Sequence, residues 1–102
     1  MNNKLNLKQE YVECLHGIFE VHFPYVEVWA YGSRVGGDSH DGSDLDLAVI
    51  GLVKTTNDLS KLRKLINDSN LPILVDLVQF EGLPESFKKE IRNSHVLFYK
   101  SR

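Results

Sequence analysis

The sequence predicts a single small α/β domain of the α+β kind, in which a mixed β-sheet is flanked by helices. Three observations carry this. Short runs rich in β-branched, aliphatic and aromatic residues fall at 26–31, 45–50 and 73–80. Segments with apolar residues at i, i+3, i+4 spacing lie before and between them. The 102 residues, 42% hydrophobic and 25% charged, suffice for one modest core and no more.

Taken in order, Asn6 is placed to cap a first helix running to about residue 23, with Leu7, Tyr11, Cys14, Leu15, Ile18 and Phe19 on one face. Pro24 ends it. The strand at 26–31 is broken by Gly32, and a short helical turn is expected after Ser33. Residues 38–43, Asp-Ser-His-Asp-Gly-Ser, are loop by composition. The apolar run 45–50 reads as a buried strand. A helix over 56–67 turns Leu59, Leu62, Leu65 and Ile66 inward, with Lys61, Arg63 and Lys64 mostly outward. A turn at 68–70 leads to the third strand, 73–80, and Pro84 suits the first turn of a helix reaching about residue 93. Residues 96–99 form a short last strand, at an edge or packed on the first helix. No repeat, low-complexity tract or linker interrupts the chain, so residues 1–102 are read as one domain.

A net charge of −2 gives no global attraction to nucleic acid or anionic membrane, so direct nucleic-acid binding is not expected. Any nucleotide must be held by local geometry. Cys14 is alone and can form no intramolecular disulfide, which fits a reducing cytoplasm. The first ten residues hold no apolar signal core, and no apolar run nears membrane-spanning length.

The chemistry concentrates in Gly32-Ser33-Arg34-Val35-Gly36-Gly37 and in Ser43-Asp44-Leu45-Asp46-Leu47. Residues two apart on a strand share a face, so Asp44 and Asp46 project side by side from one end of the second strand. Adjacent anions repel and resist desolvation, which calls for a positive partner; a hard divalent cation such as Mg²⁺ is the natural one. Asp76 is the only charge in the third apolar run, and a lone ionised carboxylate in a core strand needs pairing or a metal. If the second and third strands are neighbours, three carboxylates converge in a layout suited to in-line displacement at phosphorus. Gly32 permits close backbone approach to a phosphate, and Ser33 adds a hydroxyl. Arg34 could reach a phosphate or lie solvated. Neither a P-loop nor a Gly-x-Gly-x-x-Gly fingerprint is present.

Gly-Ser, a glycine a few residues on, Ser-Asp-x-Asp-Leu and a lone Asp in a later strand resemble the pattern of the DNA polymerase β-like nucleotidyltransferases. With Val-Trp-Ala-Tyr-Gly-Ser-Arg-Val upstream and Leu-Pro-Ile-Leu-Val-Asp-Leu downstream, the chain is most similar to the minimal nucleotidyltransferases, commonly encoded beside a helical HEPN-domain protein. The resemblance spans about residues 25–99. It implies the polymerase β-like fold, Asp44 and Asp46 as Mg²⁺ ligands, and Asp76 completing the metal site and helping to activate the acceptor hydroxyl. It places Gly32, Ser33, Arg34 and Ser43 around the nucleotide, with either Gly36 or Gly37 as the loop glycine. Two Mg²⁺ ions and ATP are implied, with AMP transferred to a hydroxyl. The implied acceptor is a tyrosine of the HEPN ribonuclease toxin, which forms a hetero-oligomer with this antitoxin.

Plainer readings stand beside these. Asp44 and Asp46 could belong to a capped turn entering a strand, and Ser33 could be a helix cap. No His partner or nucleophile elbow supports Ser33 as a nucleophile. His16, His22, His40 and His95 lack metal-ligand spacing; His16 and His22 read as surface or partner-facing, and His40 could touch a phosphate. Trp29 and Tyr31 read as core strand residues, Cys14 as a buried helix residue, and Lys88, Lys89 and Arg92 as a solvated face. Two other functions compete: an antitoxin acting by contact alone, and a glycosyltransferase with an Asp-x-Asp pair. The three carboxylates oppose the first, and the chain length and the Gly-Ser turn oppose the second.

Overall fold

In the computed structural model, residues 5–35, 44–52 and 58–101 are described. Their elements run α1 (Gln9–His22), β1 (Glu27–Tyr31), a 3₁₀ turn (Gly32–Arg34), β2 (Leu45–Ile50), α2 (Asp58–Asp68), β3 (Val75–Gln79), a second 3₁₀ turn (Phe80–Gly82), α3 (Glu85–Asn93) and β4 (Val96–Lys100). The four strands form one mixed sheet in the order β3-β2-β1-β4. β1 is antiparallel to β2 and β4, whereas β2 and β3 are parallel, joined through α2 as a parallel pair requires.

The side-chain alternation of the strands divides the sheet into two unlike faces. One carries Val28, Ala30, Leu47, Val49 and Leu77 against Leu15 and Phe19 of α1 and Leu62 and Ile66 of α2. The other carries Trp29, Tyr31, Ala48 and Val78, which meet Phe80 and, from α3, Phe87 and Ile91. Apart from Asp46, β2 is apolar on both faces because it lies inside the sheet with cover on each side; Leu45, Leu47, Ala48 and Val49 are fully buried. Phe19 is also fully buried and stacks on Tyr99, centroids 5.5 Å apart, which docks α1 on β4. Truncating such a ring to Ala costs about 3–5 kcal/mol.

The sequence reading needs correction in several places. Asn6 does not cap α1: the N-cap is Lys8, with no side-chain cap bond. Instead the Asn6 backbone pairs with the first 3₁₀ turn, its N–H donating to the Arg34 carbonyl at 2.8 Å, beside a Leu5–Val35 bridge. His16 is half-buried rather than a free surface residue. Its ring lies edge-on to Phe98 and its Nε2 contacts the Phe98 carbonyl, fastening α1 to β4. β3 is shorter than expected at both ends, since Phe80 leaves the sheet to enter a 3₁₀ turn. Lys88 and Arg92 are more than a solvated face, as both cover the Phe80 ring. The expected loop at 38–43 and the start of the second helix at 56–57 lie outside the described residues.

No described helix is long and apolar enough to cross a membrane.

Candidate active site

Strand register assembles the site. Tyr31 of β1 lies opposite Asp46 of β2, and Asp46 lies opposite Asp76 of β3. Directly opposed residues share a face, so a phenol and two carboxylates stand in a row on the α3 side of the sheet. Asp44 sits one residue before β2 and is exposed. Asp46 is half-buried, but Asp76 is exposed. The expectation of a carboxylate sunk in a core strand therefore fails for Asp76. β3 is an edge strand, and Asp76 lies beyond the cover that Val78 receives on the same face, whereas Leu77 on the other face is buried.

Charge follows from this layout. Burial pushes the Asp46 carboxyl above its ordinary value, and the Asp76 and Asp44 carboxylates push it further. The Tyr31 phenol is pushed up to about 12, first by burial and then by Asp46 and Asp76. At neutral pH it is a protonated hydrogen-bond donor beside the carboxylates. Sequence reasoning placed Tyr31 in the core because cross-strand register is not written in one strand; its position just before Gly32 was the available signal.

Gly32 is glycine for two independent reasons. Its φ is +82°, a left-handed conformation that side chains resist. A Cβ there would also overlap Oδ2 of Asp46 and stand 3.2 Å from its carboxylate carbon. The close approach is thus already made, by a site carboxylate. Gly32 and Ser33 are both exposed on the turn that leaves β1, where the Val35 N–H donates to the Gly32 carbonyl at 3.0 Å.

Arg34 is placed differently from the expectation of a phosphate-reaching or solvated side chain. It is 5% exposed, and Nη1 donates to the Asn6 carbonyl at 2.6 Å. With the reciprocal backbone bond, the guanidinium fastens the N-terminal segment to the turn. Ser43, Gly36, Gly37 and His40 lie outside the described residues.

Among the described residues, no three His, Cys, Asp or Glu side chains are drawn together tightly enough to form a ligand set. What the structure brings together is the Asp46–Asp76 pair, with Asp44 in electrostatic reach. The donors are all hard carboxylate oxygens, and their mutual repulsion is the kind that a divalent cation reverses. The residues therefore fit an ion of the Mg²⁺ class.

Beside these carboxylates, a cavity of about 540 Å³ opens at Tyr31 and Gly32, between the end of β1 and α3.

The family model described as "Polymerase beta, Nucleotidyltransferase" matches residues 13–102, from within α1 through β4. The chain belongs to the polymerase beta nucleotidyltransferase family. The mixed four-stranded sheet with its helices is consistent with that family's fold, and the activity is that of a nucleotidyltransferase. A relative from Haemophilus influenzae, named "Probable protein adenylyltransferase MntA", is 35% identical over 97 residues, covering 92% of this chain and 83% of that protein. The match of this polymerase beta nucleotidyltransferase chain takes in every carboxylate of the row and the Gly32–Ser33 turn.

Proposed function

We propose that the protein transfers AMP from Mg²⁺-bound ATP to a hydroxyl of a partner protein, and that this partner is a HEPN-domain toxin silenced by the modification. The observation that carries the reading is the Asp46–Asp76 register, with the Gly32 turn seated against Asp46, in a nucleotidyltransferase chain. The name of the Haemophilus influenzae relative supports adenylyl transfer to protein.

Asp44, Asp46 and Asp76 would hold two Mg²⁺ ions, which supply charge neutralisation for a triphosphate that three carboxylates would otherwise repel. Gly32 and Ser33 hold the triphosphate, the latter through its hydroxyl, and Ser43 adds a second hydroxyl. The acceptor oxygen attacks the α-phosphorus in line. The bond from that oxygen to phosphorus forms, the bond to the bridging oxygen breaks, and pyrophosphate departs with the bonding pair. Asp76, exposed at the sheet edge, would take the acceptor's proton.

The test is to co-purify the protein with the product of the adjacent gene and to measure the partner's intact mass with and without Mg²⁺ and ATP. An AMP adduct on a partner tyrosine, with loss of its ribonuclease activity, is expected. A partner silenced without any adduct would refute modification in favour of silencing by contact.

A further inference from the structure

We infer, resting on the nucleotidyl-transfer reading, that the acceptor protein docks on the outer edge of β3 at Val75, where an extended segment of it adds as a strand carrying a hydroxyl residue and an apolar residue two positions apart.

The backbone of β3 is the first support. β3 is an edge strand, paired on one side only, with β2. In a parallel ladder successive residues direct their N–H and C=O alternately toward the neighbouring strand and away from it. The Leu45 N–H donates to the Leu74 carbonyl at 2.9 Å, and Leu45 lies opposite Val75. Leu74 and Asp76 therefore turn their backbone groups toward β2, and Val75 and Leu77 turn theirs outward. The outward Leu77 carbonyl is already met, by Nη2 of Arg63 reaching over from α2 at 3.2 Å. Among the described residues, nothing engages the outward N–H and carbonyl of Val75. A donor and an acceptor left open on one residue of an edge strand are what an added peptide strand satisfies.

The far edge of the sheet is built differently. β4 is bulged where it passes Val28 and Trp29, and its Phe98 carbonyl is met by His16 of α1. Bulges and covered carbonyls hinder strand addition. The open stretch thus lies on the edge that bears Asp76, one residue from that carboxylate.

Side chains say what the added segment carries. Val75 packs on the core beneath α1 and α2. Leu74 and Asp76, on either side of it, turn to the opposite face, where Asp76 is exposed and Leu74 is 71% exposed. Whichever way the added strand runs, the residues flanking the one opposite Val75 stand beside Leu74 and Asp76, with Cβ atoms roughly 4.5–5.5 Å from theirs. A hydroxyl residue beside Asp76 can give its proton to that carboxylate. An apolar residue beside Leu74 covers a side chain that otherwise stands in water. The acceptor pattern is a hydroxyl residue, any residue and an apolar residue, its order set by the strand direction.

The experiment uses the intact protein and the partner that co-purifies with it. Proline is tolerated at the first residue of an edge strand, and Val75 is that residue, so Val75→Pro removes the outward N–H and none of the bonds to β2. Partner affinity, titrated without nucleotide, should fall about tenfold for Val75→Pro and about tenfold for Leu74→Gln. Leu97→Gln, at an exposed apolar position on β4, is the control and should bind as the wild type does. Melting temperature and ATP·Mg²⁺ affinity should be unchanged in all three, which separates docking from folding and from the nucleotide site. If the proline variant melts early, Leu74→Gln decides alone. Fragment masses of the modified partner should place the AMP two residues from an apolar side chain. Wild-type partner affinity in both edge variants would overturn docking on β3 while nucleotidyl transfer stands. A wild-type protein that dimerises alone in sedimentation, and is made monomeric by Val75→Pro, would give the edge to a second copy and overturn it too. If the partner binds the wild type but gains no AMP, the transfer reading falls and the acceptor assignment with it.

Discussion

Gly32→Ala should separate backbone strain from damage to the carboxylate row. With φ at +82°, an alanine pays a left-handed penalty of about 1–2 kcal/mol. For a domain of this size that lowers the melting temperature by roughly 4–8 °C per kcal/mol. The added methyl also meets Asp46, whose Oδ2 it would overlap and whose Cβ it would approach to 3.4 Å. Ordinary carbon–oxygen contact requires the carboxylate to retreat by roughly an ångström. A displacement of that size in a reacting constellation lowers the rate by roughly a hundredfold. Gly51→Ala is the matched control, because φ is +83° there and nothing lies within 4 Å of an added Cβ. Both variants should lose similar stability in thermal melts. Only Gly32→Ala should lose transfer of label from α-labelled ATP to the co-purified partner, measured well below either melting point. Equal, undiminished transfer by the two would show that the position of Asp46 does not govern the chemistry.

Three further outcomes are expected. The raised Asp46 carboxyl means that the folded state holds this proton more tightly than the unfolded chain, so stability from this group falls as pH rises through a window just above the ordinary carboxylate value. Asp46→Asn should flatten that pH dependence in chemical denaturation and abolish transfer; an unchanged pH profile would show that the group is not perturbed. Asp76→Asn, at an exposed edge position, should eliminate transfer while melting and partner co-purification stay as in the wild type; lost co-purification would assign Asp76 to the interface instead. Arg34→Met should remove the bond from the guanidinium to the Asn6 carbonyl and cost about 1.5–3 kcal/mol, read from denaturant unfolding, with ATP affinity of the folded protein unchanged; weakened ATP binding at full stability would return Arg34 to the phosphate site.

What could be read from the sequence divides along a physical line. Features written within one segment were legible. The run 45–50 coincides with β2, and the apolar positions Leu59, Leu62, Leu65 and Ile66 all turn toward the core. Features that depend on what a segment meets were not. Asn6 looks like a cap because a side-chain oxygen precedes an amphipathic run, but its backbone is claimed by Arg34, a partner remote in sequence. His16 looks solvent-facing on a helix wheel, yet β4 rises against it. Arg34 looks like a phosphate ligand by its place after Gly-Ser, and only the fold shows that its guanidinium points into a buried clamp.

The carboxylate row shows why half a site can be foreseen and half cannot. The i, i+2 spacing puts Asp44 and Asp46 on one face from the sequence alone, and the isolation of Asp76 asks for a partner, but the two meet only because β2 and β3 are neighbours in this register. Tyr31 enters the row only because β1 pairs with β2 so that it falls opposite Asp46; a one-residue slip would turn it to the other face and bring Ala30 there instead. Cover follows the same logic. Two helices close one face of the sheet, whereas α3 and the Phe80 turn cover the other over Trp29, Tyr31, Ala48 and Val78. The strand end bearing Asp76 is left open. Half-burial and the neighbouring Asp76 and Asp44 charges burden Asp46 at a standing cost in stability, and the opening beside it is the entry that a cation, a nucleotide and an acceptor from another chain would all require.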